Sequence, residues 1–262
     1  MTDWLGICRA AVADVKTVLA DLPTRAEREP VVGTGLGGDE TTAVDKAAED
    51  AILARLRPLD DLTIISEEVG REGNGATVVV VDPIDGSLNA KRGIPFFALS
   101  LAVADGATMD DVHFGYVYDF GTGEEWVARR GGGATCNGEP LTVCPKDEIE
   151  ILAFEATLTS LIARDAPRVD GLAHRLRIMG SLALSLCHLA AGRLDAVCSL
   201  KNARSVDIAA GQLLVREMGL AISLFDDPRR FEEAELDLEG RSRLAAAGTE
   251  ALCTKLAHAL SA

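Results

Sequence analysis

The spacing of apolar positions changes repeatedly along the chain, and each change marks an element. Over residues 4–20, Leu5, Cys8, Val12, Val15, Val18 and Leu19 recur at helical spacing, which predicts an amphipathic core helix. Pro23 and Pro30 bracket the charged stretch that ends it. Thr41 or Thr42 can cap a helix over 43–56, with Asp45 in its first turn. Apolar runs at 62–66 and 77–81 read as buried strands, and acids follow each directly: Glu67-Glu68 after the first, Asp82 after the second. A strand at 96–103 and a hairpin of 114–118 with 125–130 come next, and Asn137-Gly138 is a short-turn signal. So many consecutive strands predict a mainly antiparallel sheet.

From residue 149 helices and strands alternate. Strands are expected at 149–155, 176–179, 194–198 and 244–247, and helices near 158–164, 182–191, 207–218 and 249–260. Gly180-Ser181 opens the second of these helices; Asp207 is placed as N-cap of the third, with Gly219 as its C-cap. The fold class expected is α/β, built as α+β layers. Residues 1–145 and 146–262 form its two halves.

Composition narrows the setting. A chain of 262 residues with 48% hydrophobic content can bury a substantial core, and no apolar run reaches the length of a membrane span. The first residues lack the profile of a signal peptide, and six scattered cysteines without a CxxC pair read as reduced packing residues in a cytoplasmic protein. A net charge of −15 disfavours nucleic acid and anionic membranes as partners. It also means that an anionic substrate would need positive charge supplied locally.

The chemistry concentrates in Asp82-Pro83-Ile84-Asp85-Gly86-Ser87, at the end of the second apolar strand. The proline restrains the backbone, so that both carboxylates and the Ile84 carbonyl can point to one side. Gly86 permits close approach and Ser87 adds a hydroxyl. Hard oxygen donors grouped this tightly suit Mg²⁺ or Mn²⁺. Other motifs give less. Residues 33–38 formally contain GxGxxG, but the strand of a βαβ unit is missing before it, and it reads instead as a flexible loop beside the site. The four histidines (113, 174, 188, 258) lack zinc-ligand spacing, and neither a Walker loop nor a GxSxG elbow occurs.

The hexapeptide, continued through Asn89 and Gly93-Ile94-Pro95-Phe96-Phe97, resembles the signature of the inositol monophosphatase family. The likeness is nearest to archaeal members acting on inositol monophosphate and fructose 1,6-bisphosphate, and it runs over roughly residues 30–250 with the elements in family order. It implies an alternating α/β/α/β/α sandwich, usually a homodimer, that hydrolyses small sugar or polyol phosphates with metal-activated water and no phosphoenzyme. By resemblance, Glu67, Asp82, the Ile84 carbonyl, Asp85 and Asp207 bind two or three Mg²⁺, with Mn²⁺ as a substitute. Asp45, Glu67 and Ser87 are then catalytic, Glu68 stands behind Glu67, and Asp85, Gly86 and Ser87 meet the phosphate. The loop at 33–38 is expected to be mobile and to close over the metals.

Inositol-specific relatives carry a glutamate seven residues before the helix-start aspartate; Leu200 stands there in this chain, next to Ser199. Val206 replaces the tryptophan that many relatives have before that aspartate. Substrate contacts are therefore expected from Arg175, Arg177, Gly180, Ser181, Lys201 and Arg204, with Arg204 at the mouth of the site receiving a second phosphate. Two other functions remain open: a 3′-phosphoadenosine 5′-phosphate phosphatase, which would need aromatics for stacking in a chain only 4% aromatic, and a regulatory member that docks on a protein.

Overall fold

The computed structural model describes residues 2–35, 40–155 and 158–261. Helix α1 (Trp4–Asp21) starts where the Asp3 carboxylate accepts the Gly6 N–H, and buries Trp4, Cys8, Ala11, Val12 and Val15 along one face. After the single turn α2 (Arg25–Arg28) come the paired strands β1 (Val31–Thr34) and β2 (Glu40–Thr42) and helix α3 (Ala43–Leu56), which packs on α1. Of the loop expected at 33–38, Gly33 and Thr34 instead end strand β1, paired with Thr41 and Glu40, and residues 36–38 lie outside the described residues.

Eight strands follow, with one short helix among them: β3 (Leu62–Ser66), β4 (Gly70–Gly73), β5 (Thr77–Asp85), α4 (Ser87–Arg92), β6 (Ala98–Ala104), β7 (Val112–Asp119), β8 (Glu125–Arg129), β9 (Gly133–Cys136) and β10 (Glu139–Pro140). They form one sheet in the order β10-β9-β8-β7-β6-β5-β3-β4, antiparallel throughout except where β3 lies parallel to β5. Asn137 and Gly138 turn between β9 and β10 with φ of 52° and 82°, as an Asn-Gly turn requires.

The remaining chain gives β11 (Ile149–Glu155), α5 (Thr159–Asp165), β12 (Ala173–Arg177), α6 (Leu182–Ala190), β13 (Ala196–Ser199), α7 (Ser205–Glu217), β14 (Ala221–Leu224), β15 (Leu244–Ala247) and α8 (Glu250–Ser261). Its five strands make a second sheet, β12-β11-β13-β15-β14, in which β11 runs parallel to both β12 and β13.

Three separate apolar clusters order these elements into five layers. One joins α1 and α3 to the outer face of the first sheet; a second joins that sheet's inner face to α6, α7 and the second sheet; the third joins the far face of the second sheet to α8. The α/β/α/β/α sandwich follows from the burial pattern, since each sheet has apolar residues on both faces and each face needs a cover.

Several elements escape the sequence pattern, among them α2 and the paired strands β1 and β2. Strand β4 reads Gly-Arg-Glu-Gly with no apolar position, α4 spans fewer than two turns, and β14 is four residues long. Strand β12 sits at 173–177 rather than 176–179, because an edge strand needs only one hydrogen-bonded neighbour, and its register is set by β11.

Candidate active site

Both sheets end at one place. Ser66 pairs with Val81 in the parallel β3–β5 ladder, so the residues that follow, Glu67 and Asp82, emerge side by side. In the second sheet Glu155 and Ser199 are paired at the ends of parallel strands β11 and β13. Between them lies a cavity of about 420 Å³ whose lining includes Asp45, Glu67, Asp82, Asp85, Ser87 and Asp207.

Asp82 and Asp85 reach the same cavity through a bulge. Asp82 pairs with Ser100 and Asp85 with Ala98, so three steps along β5 oppose two along β6. Residues three apart on a regular strand face opposite ways; one extra residue returns the second carboxylate to the first one's side. The proline between them suits that break, since it has no N–H to give the ladder. Asp82 Oδ1 accepts the Ile84 N–H at 3.0 Å, and the Ser87 hydroxyl donates to the Ile84 carbonyl at 2.9 Å. That carbonyl keeps a second lone pair.

Four helices start at this cavity, and each has a residue within its first turn there. Asp45 is the third residue of α3, where Oδ2 accepts the Thr42 N–H at 3.1 Å and the Thr42 hydroxyl at 2.5 Å. Ser87 begins α4. Leu182 begins α6, whose Ala183 N–H donates to Asp85 Oδ2 at 2.8 Å, beside the Ser181 hydroxyl at 2.5 Å. Asp207 is the third residue of α7, accepting the Arg204 N–H at 2.8 Å. Asp207 is thus not the N-cap expected from the sequence; Arg204 holds that position, and Asp207 reaches back to it. Helix N-termini carry partial positive charge, and at three of the four it is already met by a carboxylate that accepts a cap or first-turn N–H.

Burial sets the electrostatics. Removal from water pushes Glu67 up to about 7, with the Asp207 charge adding to the rise and Arg204 opposing it. Burial likewise lifts Asp85 to about 7 against the Ser181 hydrogen bond, and holds Asp82 well above the carboxylate range, reinforced by Glu67, Asp85 and Asp207. Glu68 and Glu155 are raised for the same first reason. Glu68 accepts a hydrogen bond from the Thr41 hydroxyl, and Glu155 from Ser185 Oγ at 2.6 Å and the Gly180 N–H at 2.8 Å.

Arg204 does not stand at the mouth. Its Nη2 donates to Glu67 Oε1 at 2.7 Å and to Asp207 Oδ1 at 3.2 Å, and only 13% of its side chain is exposed. The guanidinium thus lies between these two acids, and no three His, Cys, Asp or Glu side chains among the described residues close round one point. Arg175 and Arg177 are also not brought to the cavity. Both lie exposed on edge strand β12; Arg175 approaches Glu150 at 3.8 Å, and Arg177 donates to the Leu176 carbonyl at 2.9 Å. Gly180 and Lys201 do line the cavity, as do Lys91 and Glu155, which sequence reasoning passed over. Glu155 carried the same signal as Glu67 and Asp82, an acid closing an apolar strand; Lys91 lies on the unread helix α4.

A pH dependence follows for the metal-free protein. Glu67 and Asp85 have folded-state values raised above their ordinary 4.5 and 3.8, so their contribution to stability is full below pH 4 and lost as pH rises through about 7. The melting temperature in EDTA is expected to fall between pH 5 and 8, and saturating Mg²⁺ is expected to flatten that decline by favouring the ionised forms. A metal-free melting temperature that climbs over this interval would contradict the buried-carboxylate assignment.

Comparison with known proteins gives a consistent picture. The profile of the inositol monophosphatase family matches residues 6–262. A fructose-1,6-bisphosphatase/inositol-1-monophosphatase of Thermococcus kodakarensis is 37% identical over 87% of this chain and 86% of its own. The Nus factor SuhB of Pasteurella multocida is 38% identical over 69% of this chain and 70% of its own. Among solved structures, an inositol monophosphatase–fructose 1,6-bisphosphatase superimposes with a TM-score of 0.85 at 30% identity, covering 98% of this chain and 100% of the other.

Proposed function

The chain belongs to the inositol monophosphatase family of metal-dependent phosphatases, and from that premise we propose that it hydrolyses fructose 1,6-bisphosphate and inositol 1-phosphate with Mg²⁺ held by Glu67, Asp82, the Ile84 carbonyl, Asp85 and Asp207. One observation carries the proposal: the ends of β3 and β5 and the start of α7 bring these oxygens to the lining of a single cavity. The donor set is all hard oxygen, which fits two or three Mg²⁺, or Mn²⁺ in their place. Asp45 Oδ1 adds to the fit, since it is buried and finds no hydrogen-bond partner among the described residues. When bound, the cations supply positive charge that acidifies the attacking water and offsets charge on the phosphate and the departing oxygen.

The chain's own groups do the positioning. Asp45 Oδ1 and the Ser87 Oγ, whose own proton goes to the Ile84 carbonyl, can each accept a hydrogen of the attacking water, with Glu67 across the cavity to orient it. Thr42 and the Ile84 carbonyl keep the first two in place through the hydrogen bonds described above. N–H groups of Gly86 and Ser87, at the start of α4, are suited to phosphate oxygens. Lys201, exposed, and Lys91, half-buried, are the cations available at the cavity edge for a second phosphate. Among the described residues no aromatic side chain lines the cavity, which disfavours a nucleotide substrate whose base must stack. A homodimer in the cytoplasm completes the proposal; six cysteines without a disulfide suit a reducing compartment, and no helix among the described residues is long and apolar enough to cross a membrane.

Phosphate release from a panel of sugar, polyol and nucleotide phosphates, with Mg²⁺ and with EDTA, tests this directly. Release from fructose 1,6-bisphosphate and inositol 1-phosphate is expected only with the metal. Turnover of the nucleotide alone, or equal turnover in EDTA, would refute it.

A further inference from the structure

We infer that Arg204 is a built-in counter-cation for Glu67 and Asp207 which a divalent metal must displace, so that this chain loads metal by exchange rather than by simple addition. The inference rests on the metal-binding role proposed above for those two acids.

The geometry is that of a cation already in the ligand position. One nitrogen, Nη2, bonds to Glu67 Oε1 at 2.7 Å and Asp207 Oδ1 at 3.2 Å, and Nε lies 3.4 Å from Asp207 Oδ2. The side chains of all three residues are 13–14% exposed, so the contact is largely out of water. It links the end of β3 to the start of α7 across 137 residues of chain. A surface ion pair contributes little, but a half-dried one between elements that are otherwise held in place competes seriously for its carboxylates.

The backbone of Arg204 is not free to follow the side chain. Its N–H caps Asp207 Oδ2 at 2.8 Å, and the next residue, Ser205, is tied by its hydroxyl to the Glu235 carbonyl at 3.0 Å. Displacement therefore means rotation of the side chain alone, out of the acids and along the cavity that it already lines. A guanidinium does not lose its proton in the working range of proteins, so raising the pH does not remove this competitor as it removes a proton. Metal affinity at pH 8 should consequently stay below what the same acids would show with a neutral residue at 204.

Mn²⁺ binding by isothermal calorimetry at pH 8, on the native chain and on Arg204→Met freed of metal with EDTA, decides the matter. Arg204→Met is expected to bind Mn²⁺ at least about tenfold more tightly, with Arg204→Lys between the two, while its metal-free form melts at a lower temperature than the native one. Equal or weaker binding by Arg204→Met would overturn the exchange. Should Arg204→Met not fold without metal, the native chain supplies the test through the NMR signal of the Arg204 Nε–H. Saturating Mg²⁺ is expected to shift that signal and speed its exchange with water; an unmoved signal overturns the proposal. A native chain that takes up no Mn²⁺ at all would refute the metal site itself, whereas native binding without a gain in Arg204→Met refutes only the role of Arg204.

Discussion

Asp85→Asn is expected to lower Mg²⁺-dependent phosphate release by roughly a thousandfold or more, while the metal-free protein melts at the native temperature or above. The two effects have one origin. Asp85 is 8% exposed, and burial lifts it to about 7, so ionising it works against its surroundings in the metal-free protein. Its hydrogen bonds from Ser181 and Ala183 both end on Oδ2, and an amide oxygen in that place accepts both. Asparagine therefore preserves the packing and removes the charge, which relieves the metal-free protein and deprives a divalent cation of a ligand. Phosphate release and calorimetric melting, each with and without Mg²⁺, separate the alternatives. A near-native rate would take Asp85 out of the chemistry; a loss of metal-free stability would make its role structural.

Gly86→Ala is expected to be the most damaging change of a single methyl group near the site. Gly86 has φ of 95°, a conformation that side chains rarely adopt, and an added Cβ would lie 3.1 Å from the carbonyl oxygens of both Gly180 and Phe96 and 3.2 Å from Phe97 Cβ. Neither carbonyl yields cheaply: the first adjoins Ser181, which bonds to Asp85, and the second accepts the Asn89 amide at 2.8 Å. Backbone strain and overpacking, each worth about 1–3 kcal/mol, add here, so a loss of roughly 3 kcal/mol in stability is expected. Activity should fall about a hundredfold even where the variant stays folded, because Asp85 and Ser87 flank the residue that moves. Gly93→Ala is the control: Gly93 has a similar φ of 72° but nothing within 4 Å of its added Cβ, and should show strain alone with activity near native. Equal damage from both substitutions would mean that crowding at Gly86 does not matter.

Much of the site was legible because its parts are local. An acid closing an apolar strand needs only a run of β-branched residues and one carboxylate, so Glu67 and Asp82 stood out. Asp45 was readable as a first-turn acid behind a threonine cap, though not as a buried one; its 4% exposure depends on what covers α3. The hexapeptide marked Asp82 and Asp85 as partners. That they face one way comes from the bulge against β6, whose register involves Ser100 and Ala98, two strand positions remote in sequence.

The arginines show where local signals end. Arg204, three residues before Asp207, was expected to point outward toward an anion, yet Glu67, 137 residues away, draws it inward. Arg175 and Arg177 are close in sequence to Gly180 and Ser181, but β12 is the edge strand, and neither side chain lines the cavity. By itself the sequence determined the order of the main elements and the acids at strand and helix ends, since each is encoded within a few neighbouring residues, and the resemblance added the layering. Which of those ends meet, and which cation stands between them, was decided by the tertiary structure alone. The parallel pairing of β3 with β5 and of β11 with β13, and the insertion of α6 and α7 between two sheets, bring charges together across distances over which sequence carries no geometric information.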